Sequence, residues 1–119
     1  MSLKRIILET GMGNDLYGED YTKASIRAVQ DALHHSSLTL FKSLDINPDQ
    51  MHVVVTLGVQ EPGKVDTTVV GEQIPYGKVT IQPVLGGLNV ADPENDIVTV
   101  IATAAIAADI EPPASLVKS

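Results

Sequence analysis

Four polar side chains at helical spacing are the first feature of this sequence that could do chemistry. Lys23, Arg27, Gln30 and His34 follow one another at intervals of four, three and four residues, so on a helix they share one face. In a chain of formal net charge −7, two cations and a titratable imidazole together form a candidate site for a carboxylate or phosphate. Arg27 would supply a two-pronged donor, and His34 is the candidate to give or take a proton if a reaction occurs. The same spacing also fits an ordinary solvated face, with Arg27 paired to Asp31 one turn on.

Upstream, Gly11-Met12-Gly13-Asn14-Asp15 leads toward that helix. Glycines after a strand let backbone N–H groups approach an anion, and a helix N-terminus adds a favourable dipole. Gly11, Gly13 and Asp15 therefore join Lys23 and Arg27 as candidate ligand-binding positions. The pattern is not GxGxxG, and no P-loop lysine follows it, so a plain turn with solvated acidic residues explains it equally. Asp31 and His35 lie one helical turn apart, with His34 between them and His52 further along. A metal needs a third or fourth ligand, and adjacent histidines point about 100° apart on a helix. No metal and no cofactor are expected, and neither a GxSxG elbow nor a recognisable carboxylate pair is present.

The elements that must position these residues read as follows. Lys4 to Thr10 is a first strand, and Gly11 to Glu19 a loop. Asp20 is a helix N-cap. A helix runs from about Tyr21 to His35, its stripe made of Ile26, Val29 and Leu33 and widened by Ala24, Ala28 and Ala32. After Ser36-Ser37, Leu38 to Leu44 continues that helix or forms a short second one. Met51 to Val59 is a strand, and Val65 to Ile74 a third, with Gly71 as a bulge. Lys78 to Leu85 bends at Gly86-Gly87 and resumes through Val90. Asp96 to Ile110 is a long last strand, and the tail 111–119 frays. The expected fold is a single α+β domain over 1–119: a mixed sheet of four to five strands with one main helix packed on one face.

Bulk composition narrows the partners. The chain has 119 residues and no cysteine, so neither a disulfide nor a thiolate site is available. Its eight Lys and Arg never form a run, which argues against nucleic acid and an anionic membrane. Three Tyr, one Phe and no Trp leave an aliphatic core and few rings for stacking. A soluble cytoplasmic protein is the expectation. Val53-Val54-Val55, Ile97-Val98 and Val100-Ile101-Ala102 put aliphatic side chains on both faces of their strands. One face is covered by the helix, and the other needs a cover that a second copy of the chain would supply. A second helix over Leu38 to Leu44 is the competing cover.

The segment GMGNDLYGEDYTKASIRAVQDALHHSSL, with TLGVQEP, VLGGL and TVIATAAIA, resembles a family of short bacterial conserved hypothetical proteins named after a Listeria locus. The resemblance spans Ile6 to about Ile110. Gly11, Gly13, Asp15, Gly18, Asp20, Thr22, Lys23, Ala24, Arg27, Ala28, His34 and His35 match its pattern. It implies that the loop and helix matter for function without naming a reaction. In topology alone, the order of elements is similar to the trimeric chorismate-mutase-like fold, which implies a trimer with ligand sites between subunits. Cyanuric acid amidohydrolases look like concatenated versions of that fold. Those enzymes and the mutases lean on arginines, whereas this chain has only Arg5 and Arg27, so their activity is not carried over. Two readings follow: a small anionic metabolite bound or transformed at a subunit interface, or a non-catalytic homo-oligomer that is itself the functional object.

Overall fold

The computed structural model describes residues 4–34, 50–74 and 77–110. The elements are β1 (Lys4–Asp15), α1 (Tyr21–His34), β2 (Met51–Val59), a 3-10 turn over Pro62–Lys64, a short helix α2 (Thr67–Gly71), β3 (Lys78–Leu85), β4 (Leu88–Asp92) and β5 (Ile97–Ile110). The five strands form one mixed sheet in the order β1-β5-β2-β3, with β4 also paired to β5. β5 runs antiparallel to β1, β2 and β4, while β2 and β3 are parallel. This is the expected α+β architecture with one main helix. His35, Ser36-Ser37, the Leu38 to Leu44 segment and the tail 111–119 lie outside the described residues.

Two expectations are corrected. The first strand does not stop at Thr10 but continues to Asp15, so Gly11 and Gly13 are strand residues and not part of a loop. Both face α1, and a Cβ at either would collide with helix backbone: Gly11 with Ala28 and Ala32, Gly13 with Ala24 and Ala28. Two strand residues advance about 6.6 Å and four helical residues about 6 Å. Glycines two apart therefore match alanines four apart, and strand and helix close onto each other without side chains between them. The alanines are accordingly fully buried at the centre of the contact, while Ile26 and Leu33 pack at its margin.

The second correction is the segment Val65 to Ile74, which is a turn and a helix rather than a strand. Asp66 caps it, accepting from the N–H groups of Thr68 and Val69 at 3.1 and 3.2 Å. β-Branched residues favour strands only weakly. Here a parallel β2–β3 pair requires a crossover, which a hairpin cannot provide, and the capped turn supplies it. Gly71 ends that helix instead of making a bulge. The chain then runs along β3 and, at Gly86-Gly87, steps one strand inward to pair with β5 as β4. Gly87 has φ +62°, and its Cβ would strike the Ile101 and Gly58 carbonyl oxygens, so the step requires glycine.

The core lies between α1, α2 and one face of the sheet. Met51, Val53, Val55, Leu57 and Val59 of β2 and Val100, Ala102, Ala104, Ile106 and Ala108 of β5 all point there and are buried. The alternate residues of the same strands point to the opposite face, which no described element covers.

Candidate functional site

The stripe seen in the sequence lies on the exposed side of α1, and its members have different neighbours. Arg27 Nη1 donates to the Asn14 carbonyl at 2.7 Å and lies 3.7 Å from Asp15 Oδ1. One turn on, Asp31 Oδ2 accepts from the Met12 N–H at 2.9 Å. β1 is the last strand of the sheet on that side, so these two helix side chains occupy backbone groups along its open edge. Gln30 instead reaches Gln73 near α2, at 3.3 Å. Lys23 is exposed in the first turn of α1 and His34 exposed at its last residue. Eleven residues of helix put these two about 16 Å apart. The fold thus gathers Gly11, Gly13, Asp15 and Arg27 at the seam between β1 and α1, with Lys23 one turn away, and leaves His34 apart from them.

Asp15 is buried at the end of β1, on the helix side. Its Oδ2 accepts from the N–H groups of Gly18 at 3.1 Å and Asp20 at 2.9 Å. Asp20 in turn caps α1, its Oδ1 accepting from Lys23 N–H at 3.0 Å. The loop between β1 and α1 is therefore built around one carboxylate that Arg27 helps to balance.

A second polar cluster carries no sequence signal, because its members come from three separate segments. Tyr21, the first residue of α1, is buried. Its hydroxyl donates to Glu61 Oε2 at 2.9 Å and accepts from Asn89 Nδ2 of β4 at 2.7 Å. Lys64 pairs with Glu61 at 3.2 Å and stands 5.9 Å from the centre of the Tyr21 ring. Burial pushes the phenol above its ordinary value, the Asn89 hydrogen bond opposes this and the Glu61 carboxylate adds to it. Glu61 is held below the ordinary carboxylate value, first by the Tyr21 hydroxyl and then by Lys64. The cluster pins the start of α1 to the turn after β2 and to β4. Every group in it is already answered by another, as suits a clamp.

A concavity lies elsewhere, on the sheet face that no described element covers. Pairing places Thr10, Ala105 and Thr56 in one row across β1, β5 and β2, and Met12, Thr103 and Gly58 in the next. Small residues at Ala105 and Gly58 leave a trough of about 660 Å³, lined also by Thr10, Thr56 and Thr103. Met12, Val84 and Leu85 stand exposed at its rim. Among the described residues Asp31 is the one ionisable group in the lining, and it already accepts from Met12 N–H. Such a lining recognises shape and hydrogen bonds; it is poorly equipped to move protons. Among the described residues, no group of three or more His, Asp or Glu is placed to hold a metal ion, and no helix is long and apolar enough to cross a membrane.

The model of a family described as "Conserved hypothetical protein (Lin0512_fam)" matches residues 5–108. A crystal structure of an FtsZ-like protein of unknown function from Nostoc punctiforme superposes with a TM-score of 0.79 at 32% sequence identity. The match covers 94% of this chain and 99% of that one. No curated protein matches the chain at a significant level.

Proposed function

The chain belongs to the Lin0512 family of conserved hypothetical proteins, and we propose that it works as an assembly of identical copies in which the uncovered sheet face is the contact surface. The observation that carries this reading is the position of its exposed aliphatic side chains. Leu8, Met12, Val84, Leu88 and Val90 are all exposed, at 43–60%, and strand pairing puts all five on that one face. Half-buried Val54 and Ile101 lie among them. Contiguous apolar surface of this kind marks an interaction site.

Charge supports a second copy as the cover. The strand rows from Leu8 to Val90 contain no charged side chain, with Asp31 reaching the trough from α1 past the β1 edge, while the chain as a whole carries −7. This face is where two like-charged copies meet with least repulsion. Pairing through sheet edges is disfavoured, because Arg27 and Asp31 occupy groups of the β1 edge and Pro83 removes a donor from β3. Copies therefore meet through this face rather than through sheet edges. A trimer is favoured, on the topological resemblance, and a cytoplasmic setting on the absence of cysteine. Light scattering on a calibrated column tests the reading: the wild type elutes well above 12.6 kDa, and Leu88→Lys, on an exposed site, elutes as a folded monomer. A monodisperse wild-type monomer at micromolar concentration overturns it.

The other reading is a small anionic metabolite held between subunits by Lys23 and Arg27, beside Gly11, Gly13 and Asp15, with His34 as proton donor. Its support is the exposed side of the Arg27 guanidinium, with 45% of the side chain open, one turn from Lys23 at a helix start. Titration with phosphate and citrate of the wild type, Lys23→Ala and Arg27→Ala decides it. Binding that both substitutions leave unchanged removes this face.

A further inference from the structure

Among the described residues Tyr17 is the most exposed of the large hydrophobic side chains, at 77%, and it stands next to Leu16 at 48%. In a chain with three Tyr, one Phe and no Trp, leaving one ring this far exposed forgoes scarce burial. The loop that carries it is not loose. Asp15 Oδ2 receives Gly18 N–H and Asp20 N–H. A Cβ at Gly18 would press on that same oxygen at 2.9 Å. The Leu16 carbonyl accepts from the Thr99 hydroxyl of β5 at 3.5 Å. An aromatic held outward on a braced turn has lost its ordering entropy before it meets anything, the property that marks binding anchors.

The trough on the open face is the matching recess. Met12, Val84 and Leu85 give it an apolar part and Thr10, Thr56 and Thr103 a part that carries hydroxyl groups. A tyrosine has that same division, an apolar ring with a polar tip. The trough, at about 660 Å³, admits a ring with room for Leu16 beside it.

We propose that the Leu16-Tyr17 turn of one copy inserts into the open-face trough of the next, so that the copies join head to tail. This rests on the self-association reading above and adds its geometry. Knob and recess are different patches on one chain, so the contact is heterologous and closes into a ring when the rotation permits. That is the symmetry a trimer needs and a two-fold dimer does not.

Complementation tests it. Tyr17→Ala removes the knob, and Ala105→Phe fills the recess from a half-buried, solvent-side position. Thr103→Tyr serves as a second filler if Ala105→Phe melts early by circular dichroism. Each variant alone is expected to be a folded monomer at concentrations where the wild type assembles. Loss of a central aromatic anchor corresponds to at least about thirtyfold weaker association. Mixed, Tyr17→Ala and a filled-trough variant are expected to form a one-to-one heterodimer and stop there, since one intact knob meets one intact recess. Retention of wild-type assembly by Tyr17→Ala overturns the inference, as does a mixture that stays monomeric. If the wild type itself is monomeric, the face reading fails. If Leu88→Lys disrupts assembly and Tyr17→Ala does not, the face reading stands and this one falls.

Discussion

The two faces of this sheet are made from the same small set of residues, yet they have opposite fates. On the helix side, Leu57, Val53, Val55 and Ile106 are fully buried. On the open side, Leu8, Leu88 and Val90, carried by paired strands of the same sheet, are half or more exposed. Composition does not separate them; the neighbour does. The helix face has glycines at Gly11 and Gly13 that admit α1 to backbone contact. The open face has its small residues, Ala105 and Gly58, at the centre of a ring of larger ones. Small residues close one surface and hollow the other, because on one side a helix descends onto them and on the other nothing in the described chain does.

Substitutions put a scale on that contrast. The largest effect is expected at Gly13, where valine would drive its side chain into the α1 backbone. Forced overpacking against backbone costs about 3 kcal/mol or more, measured as loss of the urea midpoint. The same kind of enlargement on the open side, Ala105→Phe, leaves the folded monomer near wild-type stability. A comparable loss from both would make the two faces equivalent.

Next come two leucines truncated alike. Leu57→Ala opens a cavity in the core and lowers stability by about 3 kcal/mol. Leu88→Ala changes the monomer by less than about 0.5 kcal/mol, and its cost appears only as weaker assembly and a smaller dependence of melting temperature on protein concentration. Equal effects at infinite dilution would show that the open face is sealed within one chain.

Smaller again are the carboxylates that order the loop between β1 and α1. Asp15→Ala strands the N–H groups of Gly18 and Asp20 in a part-buried setting and removes a partner of Arg27. About 2 kcal/mol is expected. Asp20→Ala removes one exposed cap bond and costs about 1 kcal/mol. Urea titration of both separates a loop-building acid from a cap.

The smallest effect is in pH. Glu61 has a lowered value in the folded protein, so its interactions stabilise the fold above the ordinary 4.5 and are lost as pH falls below it. Glu61→Gln flattens that acid limb. Tyr21 is raised above 10.0, so its contribution holds below pH 10 and is lost as pH rises past it, a loss that Tyr21→Phe abolishes. Thermal midpoints across pH 3 to 11 read both.

How much of this could be read in advance depends on how local each cause is. Helix α1 was legible because Asp20, the alanines four apart and the polar stripe lie within fifteen residues and obey one period. That apolar side chains would stand on both faces of β2 and β5 was legible in Val53-Val54-Val55 and Val100-Ile101-Ala102, since successive strand residues alternate sides. The fate of Gly11 and Gly13 was not. A glycine reads as a turn when its partner is unknown, and the partner here is the backbone of Ala24, Ala28 and Ala32, met only after the chain has folded back. Val65 to Ile74 misled for a related reason: its β-branched residues speak of strand, but the parallel pairing of β2 with β3, decided outside the segment, demanded a crossover. The roles of Arg27 and Asp31 at the β1 edge, the Tyr21 clamp and the trough join segments far apart in the sequence, 68 residues in the case of Tyr21 and Asn89. Sequence determined which residues are apolar, small or charged and at what period they recur. Tertiary structure alone decided which of them meet, because hydrogen bonds, close packing and concavity belong to pairs of surfaces, and a one-dimensional order does not say which surfaces will face each other.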